Sequence, residues 1–304
     1  MAAHVSNPNQ AAWPELPLAA WQDTYATLHM WTQVVGKVRL ALSPLINHWW
    51  EVPLYVNARG LTTSAIPWGH GIFEVQFDFI EHKLSIQTSW NSSKSMALKP
   101  RTVAAFYSEF MAALWSLGIE VKIWTMPVEV PNPVPFDKDT QHASYDAESA
   151  HRLWQVLILC DTIFKEFRSR FIGKDSPVHF FWGSFDLAVT RFSGRRAPER
   201  PGADPVTREA YSHEVMSAGF WPGGGEIKGP AFYAYAAPES PGFSQQSVKP
   251  AAAFYHPQMK EFLLMYDDVR QSASPREALL SFLQSTYEAG ANLAHWDRKE
   301  LERV

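Results

Sequence analysis

The chain has 304 residues, with 27 basic and 31 acidic side chains, a net charge of −4 and an apolar fraction of 46%. That is enough apolar material for a large core, and the mixed charges exclude the broad basic surface that duplex nucleic acid requires. No apolar run approaches the roughly 18 residues of a membrane span, and the first residues lack the basic and apolar blocks of an export signal.

In chain order, Trp21, Tyr25, Leu28, Trp31, Val35, Val38 and Leu42 recur at three- and four-residue steps and predict one long amphipathic helix, stopped by Pro44. Val52, Leu54, Val56 and Ala58 alternate with polar neighbours as a strand. Phe73, Val75, Phe77 and Phe79 do so more strongly, and a turn at Glu81–His82 leads to Leu84, Ile86 and Thr88, which predicts a hairpin. Pro100 opens a helix whose inward residues run from Val103 to Leu117, and Gly118 closes it. Ile119, Val121 and Ile123 predict a further strand.

Pro127, Pro131, Pro133 and Pro135 mark residues 125–143 as an extended connector. A long helix is predicted over Asp146–Phe171, then strands at Val178–Trp182 and Asp186–Phe192, joined by Gly183–Ser184. A polar loop, a short helix over Thr207–Ser217, and strands near Ala231–Ala236 and Ala251–His256 follow. Ser274 and Glu277, with Pro275 between them, form the pattern of a capping box for a last helix. The reading is α+β: one unit over residues 1–304, with halves at 13–124 and 144–304 that are two similar arrangements if the chain arose by duplication. No glycine-rich phosphate loop follows a strand, which argues against a dinucleotide domain.

The motifs WPELPLAAWQDTYATLHMWTQVVGKVRLAL (Trp13–Leu42), LYVNARGLTTSAIPWG (Leu54–Gly69), FEVQFDFIEHKL (Phe73–Leu84), HFFWGSFDLAVTRFSGR (His179–Arg195) and YSHEVMSAGFWPGG (Tyr211–Gly224) resemble a family of uncharacterised bacterial proteins, the domain of unknown function DUF5996. The resemblance spans nearly the whole chain. It implies a bacterial source and a single full-length unit, and it brings no activity and no catalytic residues.

The functional candidates come from the residues themselves. The 13 Trp, 19 Phe and 10 Tyr read as core packing or as the walls of a ligand cleft, and buried indole N–H groups are expected to find polar partners. Between Pro177 and Tyr235, His179, Asp186, Arg191, His213 and Glu214 sit among aromatic residues and glycine turns. A few polar groups in apolar walls make a small-molecule site, but hydrogen-bonded polar groups in a core give the same pattern. Asp186 and Arg191 are expected to form an ion pair, which is often structural. As a site, Arg191 would anchor an anionic group. His179 or His213 would accept a proton, oriented by Asp186 or Glu214, and Trp182 and Trp221 would form the walls. The cluster Arg191, Arg195, Arg196, Arg200 and Arg208 is a solvated loop or an anion clamp.

His213–Glu214 is not a zinc motif, because Ser217 stands where the second His would be. A metal would need His179, His213 or His256 to converge, and neither a metal nor a cofactor is assigned. No G-x-S-x-G nucleophile elbow occurs, and Ser184 in Trp182–Phe185 lacks the second glycine. The lone Cys160 reads as a small hydrophobe in a reducing compartment. On the first sheet, Tyr55, Asn57, Arg59, Glu74, Gln76, Asp78, Ser85, Gln87, Glu120 and Lys122 lie opposite the core parity, as a solvated face or, if covered, a polar cleft. The expectation is a cytoplasmic protein that binds a small, anionic molecule in an aromatic-walled cleft, with His and carboxylate groups available for acid–base chemistry. The alternative is a non-catalytic protein–protein interaction module. No nucleic-acid or membrane partner is expected, and the homo-oligomeric state is not legible.

Overall fold

A computed structural model describes residues 13–303; the reading of the extreme N-terminus lies outside them. Helix α1 (Leu18–Leu42) begins after Pro17. Its expected apolar stripe is buried except at the half-buried Tyr25 and Leu42, but so is every residue from Thr27 to Arg39. It is therefore a central helix enclosed on all sides, not an amphipathic surface helix. The polar positions on its far side, His29, Gln33 and Lys37, reach carbonyls of later segments, and these bonds make their burial tolerable.

The first sheet contains β1 (Tyr55–Val56), β2 (Gly60–Thr62), β3 (Ile66–Trp68), β4 (Gly71–Asp78), β5 (Lys83–Thr88) and β6 (Ser93–Ala97). It is antiparallel in the order β1-β2-β4-β5-β6, and β3 also pairs with β4. The β4–β5 hairpin matches its expected turn, with Asp78 opposite Lys83. The strand expected over Val52–Ala58 shrinks to two residues, whereas β2 and β3 carry no clear alternation of their own. Helix α2 (Val103–Ser116) starts after Thr102, whose hydroxyl caps Ala105 N, rather than at Pro100. Gly118 ends it with φ +77°, as expected. No strand forms at Ile119–Ile123; the alternation there reflects one-sided burial of a segment that no strand pairs.

Helix α3 (Ala147–Ser169) is capped by Asp146 through Ser149 N and buries Cys160 completely. The second sheet contains β7 (His179–Phe181), β8 (Asp186–Arg196), β9 (His213–Trp221), β10 (Ala231–Ala237), β11 (Phe254–His256) and β12 (Glu261–Met265), in the antiparallel order β11-β12-β10-β9-β8-β7. The helix expected over Thr207–Ser217 is only α4 (Pro205–Ala210), and His213 instead opens β9. Helices α5 (Tyr266–Arg270), α6 (Pro275–Leu293) and α7 (Arg298–Leu301) close the chain. Ser274 makes no side-chain cap at the start of α6, so the expected capping box is absent.

One continuous apolar core includes Phe77 and Phe106 from the first half and Phe164 and Phe220 from the second. Leu54 and Phe180 exchange two backbone hydrogen bonds of 2.9 Å, which tie the two halves together. The expectation that buried indoles find partners fails at Trp31, which is fully buried with its N–H unpaired and stacks instead on Phe106 at 4.7 Å. Among the described residues no helix is long and apolar enough to cross a membrane.

Candidate functional site

Side chains alternate across a strand, and this divides the second sheet into two unlike faces. Leu187, Val189, Ala218, Phe220, Phe232 and Leu264 belong to the main core. On this face Met216 of β9 packs against Gly290 of α6, and Arg191 lies over Phe167 of α3 and Tyr287 of α6. The other face presents Asp186, Thr190, Ser217, Tyr233, Tyr235 and Glu261 to a cavity of about 1040 Å³. Gly219 makes this floor possible. It lies opposite Tyr233 in the β9–β10 register, and any Cβ there would fall 2.4 Å from the tyrosine ring. The ring therefore lies flat across β9 and brings its hydroxyl to Asp186.

Asp186 is only 7% exposed. It accepts hydrogen bonds from the Tyr233 hydroxyl at Oδ2 and from the Ser184 hydroxyl at Oδ1, 2.7 Å away. Burial raises its pKa to about 6 against those two hydrogen bonds, and the nearby Glu129 carboxylate adds to the rise. Burial, then the Asp186 charge, lifts Glu261 to about 7, and burial also raises Glu129. Among the described residues none of these three carboxyl groups forms an ion pair. Tyr211 and Tyr235 share a hydrogen bond of 2.9 Å, as do Thr190 and Ser217, so most of the floor's hydroxyls are already partnered.

The walls are aromatic. Trp49, Trp50, Trp124, Trp182 and Trp221 all line the cavity. Trp182 lies against Gly36 of α1, where a Cβ would come within 2.2 Å of its ring, and its indole N–H donates to Val52 O at 2.8 Å. The connector wall is clamped to α1: Gln33 donates to Val128 O at 2.8 Å and accepts from Val128 N at 2.9 Å. Lys37 donates to Met126 O and places its ammonium 4.5 Å from the Trp124 ring, and burial lowers its pKa to about 8. His48 has Nδ1 3.2 Å from both Glu209 O and Ala210 O while Nε2 lies 2.7 Å from Lys174 Nζ. With the lysine as donor, that pattern defines a neutral imidazole carrying its proton on Nδ1.

Of the residues singled out from the sequence, Asp186, Trp182 and Trp221 meet in the cavity. The other four do not line it. Arg191 is on the opposite face and donates to Phe167 O, so the expected Asp186–Arg191 ion pair does not exist. Residues five apart on a strand point to opposite sides. Arg191 cannot anchor a ligand in the cavity. His179 is 1% exposed, enclosed by Trp50, Tyr55 and Phe181 with ring centroids 5.4–5.6 Å away, and neither ring nitrogen has a partner. Burial, then the charges of Arg39 and Arg168, lowers its pKa to about 3. His213 contacts His48 edge-on at 5.6 Å and lies 3.1 Å from the Ser212 hydroxyl. Glu214 pairs with Arg195 at 2.7 Å in a smaller depression of about 350 Å³.

Sequence reasoning missed Glu129, Tyr233, Tyr235, Glu261 and Lys37. The Tyr233–Tyr235 parity within AFYAYAA was a visible signal, whereas Glu129 lies in an irregular segment that offers none. Of the polar residues expected on the first sheet's outer face, only Lys122 lines the cavity; Asp78 is instead buried and holds Arg59 at 2.6 Å. Among the described residues no group of three or more His, Cys, Asp or Glu side chains is placed to hold a metal ion.

A family model described as a family of unknown function, DUF5996, matches residues 13–303, nearly the whole chain. No curated protein matches the chain, and no solved structure does.

Proposed function

We infer the function of this chain, which belongs to the DUF5996 family, from its cavity: it binds a small molecule between the polar face of the second sheet and the tryptophan wall. The observation that carries this reading is the cavity of about 1040 Å³, just above the roughly 300–1,000 Å³ typical of ligand sites, with Asp186 buried at its floor. Acid–base capacity, if the bound molecule reacts, rests on Asp186 and Glu261. Their pKa values lie near neutrality, where a group is best placed to give or take a proton. Among the described residues the histidines lie outside the cavity lining, except His48, whose ring nitrogens are both engaged.

The uncharged fluorescent probe N-phenylnaphthylamine tests the reading. It is expected to bind saturably with one-to-one stoichiometry and to quench tryptophan emission. Ala188→Trp, which fills the floor beside Thr190, is expected to abolish binding while the variant still unfolds cooperatively. No saturable binding, or binding unchanged in a folded Ala188→Trp protein, overturns the proposal.

A further inference from the structure

We propose that the ligand of this cavity is a small organic cation, an amine on an apolar body, whose ammonium group sits against Asp186 and Glu261 with Glu129 at the rim. The inference rests on the cavity being a ligand site, and it names the class of ligand.

Three observations converge on that class. Asp186 is more than nine-tenths buried, lines the cavity, and has two hydroxyl donors but no basic partner. Glu261 faces the same space and, among the described residues, its carboxyl group has neither a hydrogen bond nor an ion pair. An ionised carboxylate in apolar surroundings is costly unless a counter-charge arrives, and here the protein provides none at the floor. Of the cations that line or border the cavity, Lys37 is engaged with Met126 O and the Trp124 ring and Lys174 with His48, while Lys122, on the same irregular segment as Glu129, is exposed. The only guanidinium on β8 near this level, Arg191, is sealed behind the sheet. The walls complete the match. Ammonium groups are attracted to the faces of Trp and Tyr rings, and Trp221 and Tyr233 line the cavity with the Tyr233 hydroxyl on Asp186. Tyr233 and Tyr235, which line the cavity, have pKa values raised by burial, so they stay neutral and supply dipoles rather than compete as anions. An anionic ligand at the floor would meet carboxyl groups and, among the described residues, no free cation there, since the unpaired Lys122 of the lining lies on the 122–129 segment and is exposed.

Calorimetry at pH 7.5 with a matched set of indoles decides the matter: tryptamine as the cation, 3-ethylindole as the neutral body and indole-3-propionate as the anion. Tryptamine is expected to bind one-to-one, about tenfold or more tighter than 3-ethylindole, as a desolvated charge pair predicts, with indole-3-propionate weakest. Asp186→Asn is expected to remove most of tryptamine's advantage and to leave 3-ethylindole unchanged. Glu261→Gln serves the same purpose if Asp186→Asn does not fold by its melting curve. Equal or tighter binding of the anion, or tryptamine affinity unaffected in a folded variant, overturns the cation assignment. If N-phenylnaphthylamine binds and tryptamine does not, the cation class alone falls. If nothing binds, the cavity reading falls with it.

Discussion

Asp186 is a carboxyl group held by two hydroxyls in an apolar chamber, and its proton has a consequence for stability. The fold raises its pKa from 3.8 to about 6, so the folded chain keeps this proton longer than the unfolded chain does. Stability from this group therefore falls as pH rises from about 4 to about 6, and the penalty is complete above that range. Asn cannot ionise and still offers Tyr233 an acceptor. Asp186→Asn is expected to leave stability near wild type at pH 4 and to raise it at pH 8, by on the order of 3 kcal/mol at about 1.4 kcal/mol per pKa unit. His29 and His179, lowered to about 4 and about 3, act with opposite sign. They stabilise above pH 6.5, and that contribution is lost as pH falls towards their folded values. They are common to both proteins and cancel in the difference. Denaturant midpoints measured from pH 4 to pH 8 check this, and parallel curves for the two proteins contradict it. The sequence singled out Asp186 because a charged residue between aromatic neighbours stands out locally. Its partners Tyr233, Glu261 and Glu129 come from three distant segments, and no spacing rule connects them.

Among the elements, α1 shows most clearly how packing overrides local preference. Replacing a mid-helix glycine by alanine ordinarily gains about 1 kcal/mol. At Gly36 the added Cβ would lie 2.2 Å from the Trp182 ring, which must move and strain its bond to Val52. Gly36→Ala is expected to destabilise the protein by roughly 1–3 kcal/mol, the usual cost of overpacking. At Gly229 the nearest atom to a Cβ is the Met265 methyl at 3.9 Å, so Gly229→Ala is expected to stay within about 0.5 kcal/mol of wild type. Urea titrations that rank the two variants otherwise refute the packing account. The hairpin β4–β5 and helix α3 were legible because alternation and a cap lie within the segments themselves. Strands β2, β3 and β12 were not, since three to five residues hold too little pattern and their pairing depends on distant partners. At α6 the cap pattern was present but unused: Ser274 makes no cap, and Glu277 pairs with Arg276.

For the whole molecule, α1 lies in the core shared by both halves. Its Trp31 stacks on Phe106 of α2, while His29 lies 2.7 Å from Gly183 O in the turn between β7 and β8. Residues 13–124 alone would expose much of that helix to water. They are expected to remain unfolded when expressed as a fragment, and the full chain to unfold in one transition by both circular dichroism and tryptophan emission. A folded fragment, or two separated transitions, would show that the halves are independent. The α+β class was readable from the run of hairpins and helices. The cavity was not, because its floor is one face of the second sheet and its roof comes from residues 48–52, 122–129 and 204–211.

That division between floor and roof has its own consequence. The polar atoms of the floor are held by strand pairing and mutual hydrogen bonds, whereas the roof consists largely of irregular backbone, the kind of segment that opens at the lowest free-energy cost. On the proposed reading, a site built in this way is strict about a ligand's head group and tolerant of the size of its tail. Across a series of amines with lengthening apolar tails, affinity would vary gently, while removal of the charged head would cost the same at every length.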